Sequence, residues 1–313
     1  MNTTPAVSVI MNCLNCAKDL PAALASVHAQ TFQDWEIIFW DNGSTDPSPV
    51  VAQSFGPKLH YFRSAKTVAL GAARNLALRK ARGRYIAFLD CDDLWLEDKL
   101  AAQVALFENN PRLGLVCTDT EIFVGARTLS RVFARTLPAR GRVFAKLMQH
   151  QWIAMSSAMV RTQALYSLDH WFDESLHLCE EADLFYRIAH DWELEYVDAP
   201  LTRWRVHDAN TTFKKFGQFA QETLYILDKH RRIYPFYEEE HSVLVALLTR
   251  RAAFQQGVAL WRDGRGAEAR TTIAPYADSS MKFRLFQMAS YLPGSLFNIL
   301  SRLYFALPGW LRR

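Results

Sequence analysis

An α/β fold is predicted, with a doubly wound, mostly parallel sheet followed by a helical carboxyl-terminal region. Three observations predict it. Apolar, strand-like runs alternate with segments of helical period from Val7 to Thr118, the pattern of a parallel sheet wrapped by helices. Two of those runs end abruptly in acid, at Asp41 and at Asp90-Cys91-Asp92-Asp93, and the carboxyl ends of strands are where such sheets present ligand groups. From Lys214 onward the pattern is almost wholly helical.

Each element follows from local chemistry. Val7-Ser8-Val9-Ile10-Met11 reads as a buried strand. Asp19 to Gln30 repeats Leu20, Ala23, Leu24 and Val27 at helical spacing and is entered through Asp19 and Pro21. Trp35 to Trp40 is a second strand, running into Asp41-Asn42-Gly43-Ser44-Thr45-Asp46, a turn rich in capping residues. Leu59 to Phe62 is a short third strand, and Gly71 to Ala81 is an Ala- and Leu-rich helix stopped by Gly83. Tyr85 to Leu89 is the acid-tipped strand, followed by a helix over Glu97 to Asn109 and a strand over Leu113 to Thr118. Asp93 also suits the cap of a helix beginning near Leu94. Beyond residue 120 a basic loop covers Arg127 to Arg142, Trp152 to Val160 reads as a strand, and Leu178 to His190 as a helix. Ser242 to Arg262 is helical, and Gly264-Arg265-Gly266 breaks it from a shorter helix. The domain boundary is placed near 212, giving an α/β domain over 1–212 and a helical region over 213–313 with an amphipathic, basic tail.

Composition narrows the function. Half of the 313 residues are hydrophobic, enough for a substantial core. Thirty-six Lys and Arg stand against 32 Asp and Glu, a net charge of +4 too mild to imply nucleic-acid binding without a local patch. The five cysteines are an odd number, which fits reduced thiols in a cytoplasmic protein better than a disulfide framework. Cys13 and Cys16 form a C-x-x-C with no second pair to answer it, and it is treated as incidental. The Met1 to Ala6 segment lacks the basic and apolar parts of a secretory signal, and no apolar run reaches the roughly 20 residues of a spanning helix.

Asp90, Asp92 and Asp93 repel one another at such short spacing, so a positive group should share their site. A hard divalent cation, Mg²⁺ or Mn²⁺ bridging to phosphate, is the natural candidate.

Taken in order, the motifs resemble those of the family 2 glycosyltransferases, nucleotide-sugar enzymes of the GT-A fold. The resemblance runs from about Val7 to Thr212. Its landmarks are Val7-Ser8-Val9-Ile10 with Asn15, Gln30-Thr31-Phe32, Asp41-Asn42-Gly43-Ser44-Thr45-Asp46, Ala73-Arg74-Asn75 and Phe88-Leu89-Asp90-Cys91-Asp92-Asp93. Phe172-Asp173-Glu174-Ser175, Glu180-Glu181-Ala182-Asp183 and Arg205-Val206-His207 complete the series. The resemblance implies that Asp41, Asn42 and Asp46 hold the base and ribose and that Arg74 fixes the base or diphosphate. It implies that Asp90 and Asp92 form a D-x-D motif, one carboxylate toward the ribose and the other on the metal, with Asp93 on the metal directly or through water. Arg205 and His207 would add a diphosphate contact and a metal ligand. Glu181 matches the second acid of the family's E-D pair, the base that takes the acceptor's proton, with Asp183 in reserve.

Two positions depart from the commoner family pattern. Glu181 stands where Asp is usual, one methylene longer, and Asn42 stands where many members carry Asp, which leaves the identity of the base open. Glu180 by itself reads as a helix-dipole partner, and Ser156 and Ser157 read either as acceptor-side residues or as small packing residues. Leu201-Thr202-Arg203-Trp204 partly matches the Q-x-x-R-W motif of processive synthases, with Pro200 interrupting it. A single-sugar, non-processive transferase is therefore expected.

The tail from Lys282 carries Leu296, Ile299, Leu300, Leu303, Leu307 and Trp310 with Arg312 and Arg313. It reads equally as a helix on an anionic membrane surface or as a stripe packed against protein. The first reading would place the enzyme at the inner face of the plasma membrane with a saccharide or lipid-linked saccharide acceptor. Two other classes stay open. A nucleotidyltransferase usually needs a glycine-rich basic loop after its first strand, and Asn12-Cys13-Leu14-Asn15-Cys16-Ala17 has no glycine. A non-catalytic nucleotide-sugar binder would use the same acids, and only turnover separates it.

Overall fold

The structure is a computed structural model, and it describes residues 4–134, 137–207 and 216–296. The chain forms two compact units, Met1–Ala209 and Asn210–Arg313. The boundary expected near 212 lies outside the described residues.

The first unit opens with β1 (Val7–Cys13), α1 (Leu20–His28), β2 (Trp35–Asp41), α2 (Ser48–Gln53), β3 (Leu59–Arg63), α3 (Leu70–Leu78) and β4 (Tyr85–Phe88). It continues with β5 (Leu94–Trp95), α4 (Lys99–Asn109), β6 (Leu113–Val124) and β7 (Arg127–Arg131). Last come α5 (Phe144–Gln149), β8 (Met159–Arg161), α6 (Thr162–Tyr166), α7 (Glu180–Asp191) and β9 (Glu193–Arg205). Among the described residues these nine strands make one sheet in the order β3-β2-β1-β4-β8-β6-β9-β5, with β7 on β6. The first four are mutually parallel, and β6 and β9 pair in parallel, while β8, β7 and β5 run antiparallel to their neighbours.

Strand order reverses at β1, which has β2 on one side and β4 on the other. That is the switch point at which open sheets bind ligands beyond their carboxyl ends. Alternate residues Val7, Val9, Met11 and Cys13 of β1 point into one core with Leu20, Leu24 and Val27 of α1 and Leu100 and Phe107 of α4. Because helices cover both faces, β2 is buried at every position.

Three local expectations are corrected. Asp93 does not cap a helix at Leu94. Leu94 and Trp95 pair with Arg203 and Thr202 of β9, and the helix waits until Lys99. Trp152 to Val160 is not one strand, because a single 3-10 turn over Met155–Ser157 comes before β8. That turn delivers Ser156 to the acid loop. The strand expected over Leu113 to Thr118 runs on to Val124, since β9 pairs alongside it as far as Arg205.

The second unit holds α8 (Phe216–Ile233), α9 (Tyr237–Arg262), α10 (Gly266–Ile273) and α11 (Met281–Ala289). Val258, Trp261, Ala269, Ile273, Phe283 and Phe286 form a core there. Gly264 sits at φ +79°, a conformation that suits glycine and ends α9. No helix among the described residues is long and apolar enough to cross a membrane.

Candidate functional site

The site is built at the carboxyl ends of β1, β2 and β4, and each end contributes a loop that its own side chains hold in shape. Asp41 closes β2 and is fully buried. Its Oδ1 accepts the Ser44 N–H at 2.7 Å, and its Oδ2 accepts the Tyr61 hydroxyl at 2.6 Å, with the Arg63 Nε 3.6 Å away. Burial and that carboxylate push the Tyr61 phenol up to about 12. Asn42 spends both ends of its amide on Val68, donating to the carbonyl at 2.8 Å and accepting the N–H at 3.1 Å, which ties the β2 loop to the start of α3. Asp46 accepts the N–H groups of Ala17 at 2.8 Å and Ser48 at 3.0 Å. Asn15, in a left-handed conformation at φ 57° that Asn tolerates better than most residues, accepts the Thr45 N–H at 2.8 Å. The acids expected at the base and ribose therefore frame a rigid loop.

The centre of the site is Arg74. Its helix, α3, points the guanidinium into the protein, where it is 3% exposed and packs 5.4 Å from the Phe172 ring. It donates to Asp90 Oδ1 at 3.3 Å and to Glu180 Oε1 at 3.0 Å, and Glu181 Oε2 stands 3.8 Å away. One cation thus joins the acid-tipped strand to the first turn of α7. Desolvation opposes the charge on Arg74, but Asp90, Glu180 and Glu181 outweigh it and hold its pKa raised. Loss of hydration raises the pKa of Asp90, with Asp92 adding and Arg74 opposing. The same desolvation carries Glu181 up to about 8, opposed by Arg74 and reinforced by Glu180 and Asp90.

Glu180 is more than a dipole partner. It is 4% exposed and bonded to Arg74, and its second oxygen has no hydrogen-bond partner among the described residues. Asp183, two residues beyond Glu181, is fully buried, and its Oδ2 accepts the Arg187 Nε–H at 2.9 Å. The structure does not bring it to Arg74.

The D-x-D loop is pinned from two sides. Ser156 donates its hydroxyl to Asp93 Oδ2 at 2.6 Å and accepts the Asp90 N–H at 3.1 Å. Asp93 Oδ1 accepts the Arg205 N–H at 2.9 Å. Asp93 is 3% exposed, and burial next to Asp90 and Asp92 holds its pKa well above the usual carboxylate range. Both of its oxygens have protein partners, so it is placed to hold the loop together. Arg205 donates its Nε to the Asp92 carbonyl at 2.8 Å, and His207 Nε2 stands 2.8 Å from Asp92 Oδ2. Asp92 and His207 are both partly open to solvent.

The sequence missed Ser156 as the pin of this loop and Glu180 as the partner of Arg74. Each signal was present, a serine in a small-residue run and an acid at a helix start, but only distant contacts give it meaning.

Comparison with known proteins fits this arrangement. The Glycosyl transferase family 2 profile matches residues 8–168. EpsE of Bacillus subtilis (strain 168), described as a glycosyltransferase, is 34% identical over 173 residues, 52% of this chain and 60% of its own length. An Escherichia coli protein, the UDP-Glc:alpha-D-GlcNAc-diphosphoundecaprenol beta-1,3-glucosyltransferase WfgD, is 34% identical over 105 residues, 33% of this chain and 42% of its own. The chain thus spans less than two thirds of either relative. Among solved structures, the mannosyltransferase PcManGT of Pyrobaculum calidifontis, in complex with GDP-Man and Mn²⁺, superposes with a TM-score of 0.61 at 17% identity, covering 98% of this chain and 89% of that one. That likeness shows the GT-A fold. With acids at the ends of β2 and β4 and the profile matching half its length, the chain belongs to glycosyl transferase family 2.

Proposed function

We propose that this chain is an inverting, metal-dependent glycosyltransferase that moves one sugar from a nucleoside-diphosphate sugar to an acceptor hydroxyl in the synthesis of a surface saccharide. The observation that carries this reading is the Arg74 bridge, which brings Asp90 of the D-x-D and Glu181 of α7 to one point. In the reaction the acceptor oxygen bonds to the anomeric carbon, the bond from that carbon to the diphosphate breaks, and Glu181 takes the hydroxyl proton. A single base facing a leaving group on the opposite side inverts the anomeric carbon. With its pKa near 8, Glu181 is a stronger base than an ordinary carboxylate, which suits proton transfer near neutral pH.

The loop of Asp41, Asn42 and Asp46 would hold the nucleoside, and Asp90 and Arg205 would face the ribose and diphosphate. A divalent cation fits the remaining groups: Asp92 and His207 converge as an oxygen and a nitrogen donor, partly open to solvent and beside a second carboxylate. Asp92 and His207 would hold Mn²⁺ or Mg²⁺, with Asp93 fixing the loop behind them. When bound, such a cation neutralises charge on the departing diphosphate. The relatives' names support a nucleotide-sugar donor, since WfgD is named for UDP-Glc and PcManGT was solved with GDP-Man.

Calorimetry with a panel of UDP- and GDP-sugars tests the donor site. One donor should bind with Mn²⁺ present, and the Asp92→Ala variant should lose at least about tenfold in affinity, roughly 1.4 kcal/mol. If every donor binds equally with and without metal, or none binds, the D-x-D assignment is wrong.

The second unit supports a membrane-surface acceptor. Helix α11 buries Phe283 and Phe286 but leaves Met281, Leu285 and Met288 exposed along one stripe, with Tyr291 and Leu292 following. Residues 281–313 contain five Lys and Arg and no Asp or Glu. The tail positions Ile299, Leu300, Leu303, Leu307, Trp310, Arg312 and Arg313 lie outside the described residues. An apolar stripe in a wholly cationic segment suits an anionic bilayer surface. The full chain should co-sediment with phosphatidylglycerol vesicles more than with phosphatidylcholine ones, and Leu285→Glu with Met288→Glu should abolish the difference. Sedimentation unchanged by deleting residues 282–313 would show that the tail packs on protein instead.

A further inference from the structure

A cleft of about 690 Å³ lies between α3 and the segment that follows α6, outside the groups assigned above. Its size falls within the range of small-ligand sites. On one wall Tyr166, 64% exposed, meets the Trp171 ring edge-on at 5.8 Å between centroids. Arg79, Asp169 and Glu174 also line the cleft. Arg79 and Asp169 are exposed, and among the described residues neither side chain makes a hydrogen bond or ion pair.

The cleft shares its framework with the reaction centre. Asn75, the residue after Arg74, donates to the Phe172 carbonyl at 2.9 Å and to Glu174 Oε1 at 3.1 Å, and accepts the Phe172 N–H at 3.0 Å. The pinned segment therefore presents Trp171 to the cleft and Phe172 to Arg74. A ligand in the cleft would sit beside the segment whose Phe172 packs on Arg74.

We infer that this cleft binds the distal part of a neutral oligosaccharide acceptor, an inference that rests on the glycosyltransferase reading. A pyranose ring has an apolar C–H face and a rim of hydroxyls. Exposed Tyr166 beside half-buried Trp171 offers a surface for the face, a guanidinium donates to the hydroxyls, and carboxylates accept from them. Nucleotides and polyanionic chains fit poorly, because Asp169, Asp173 and Glu174 outnumber Arg79 along the lining. Holding the acceptor away from the bond being made would let binding energy from remote sugars orient the reacting hydroxyl.

The test titrates the full chain with cellotriose, maltotriose and triacetylchitotriose, a hyaluronan tetrasaccharide serving as the anionic comparison, and with the UDP- and GDP-sugars in the same samples. At least one neutral trisaccharide should bind more tightly than the anionic one. Tyr166→Ala and Arg79→Ala, both at exposed positions, should each weaken it by about tenfold, while Tyr166→Ala leaves donor affinity unchanged. Three results overturn the inference: no neutral trisaccharide binds, the anionic chain binds best, or affinity survives both cleft variants. A protein that binds donor but no trisaccharide loses the cleft and keeps the transferase reading. One that binds a trisaccharide through Tyr166 and Arg79 but no donor loses the transferase reading and keeps a saccharide site.

Discussion

Replacing Glu181 by Gln is expected to lower kcat by on the order of 10³-fold, within the range a general base contributes, and to leave donor affinity nearly unchanged. Gln keeps the length of the side chain and its hydrogen-bonding reach but cannot accept the acceptor's proton. The same carboxyl sets a pH dependence. Desolvation carries Glu181 from its ordinary 4.5 up to about 8, and a base works only when ionised. In the wild type, kcat/KM for the free enzyme should therefore rise about tenfold per pH unit and level off above about 8. Stability moves in the opposite direction. Between pH 4.5 and about 8 the folded chain holds this proton while the unfolded chain has lost it. The contribution of Glu181 is therefore full below that window and is lost as pH rises through it. Glu181→Gln should flatten that slope in denaturation experiments. Turnover by Glu181→Gln within tenfold of wild type would exclude Glu181 as the base.

Arg74→Ala should destabilise the first unit by about 3–5 kcal/mol, because it strips the counter-charge from buried carboxylates. Glu180 is 4% exposed, its second oxygen lacks a hydrogen-bond partner among the described residues, and Arg74 holds the first at 3.0 Å. A loss of that size is a large fraction of the roughly 5–15 kcal/mol that holds a folded domain together. Arg74→Lys keeps the charge but loses the fork that reaches Asp90 and Glu180 together, and should cost less. Urea denaturation at neutral and acidic pH reads the effect. The deficit should shrink as pH falls, because protonated carboxyls no longer need the cation. A deficit under about 1 kcal/mol at neutral pH would mean that the cluster is solvated and that the bridge contributes little.

The two variants separate roles that adjacent acids share. Glu180 and Glu181 both lie within reach of Arg74, but Glu180 is nearly sealed while Glu181 keeps a side chain that is 30% exposed. Only the second is open to an acceptor. That difference is invisible in the string Glu180-Glu181, where either residue could serve the helix dipole.

Legibility in the sequence followed the range of the interactions. The strands of the parallel half were readable because burial on both faces writes continuous apolar runs. The acids at Asp41 and Asp90 to Asp93 were readable because strand ends are where such sheets turn polar. Trp152 to Val160 misled because its apolar residues hide a turn whose purpose is a hydrogen bond from Ser156 to Asp93, 63 positions away. Asp93 misled in the same way: its partner is the Arg205 N–H, brought back by β9 from 112 positions along the chain.

By itself the sequence determined the α/β alternation, the acid-tipped strands and the family, since each is carried by short-range pattern. Tertiary structure decided that Arg74 bridges Asp90 and Glu180 across 106 positions, that Asp183 turns to Arg187 instead of to Arg74, and that Asn42 serves Val68. The physical reason is that a charge's role depends on which other charges share its low-dielectric surroundings, and only the folded chain fixes that company.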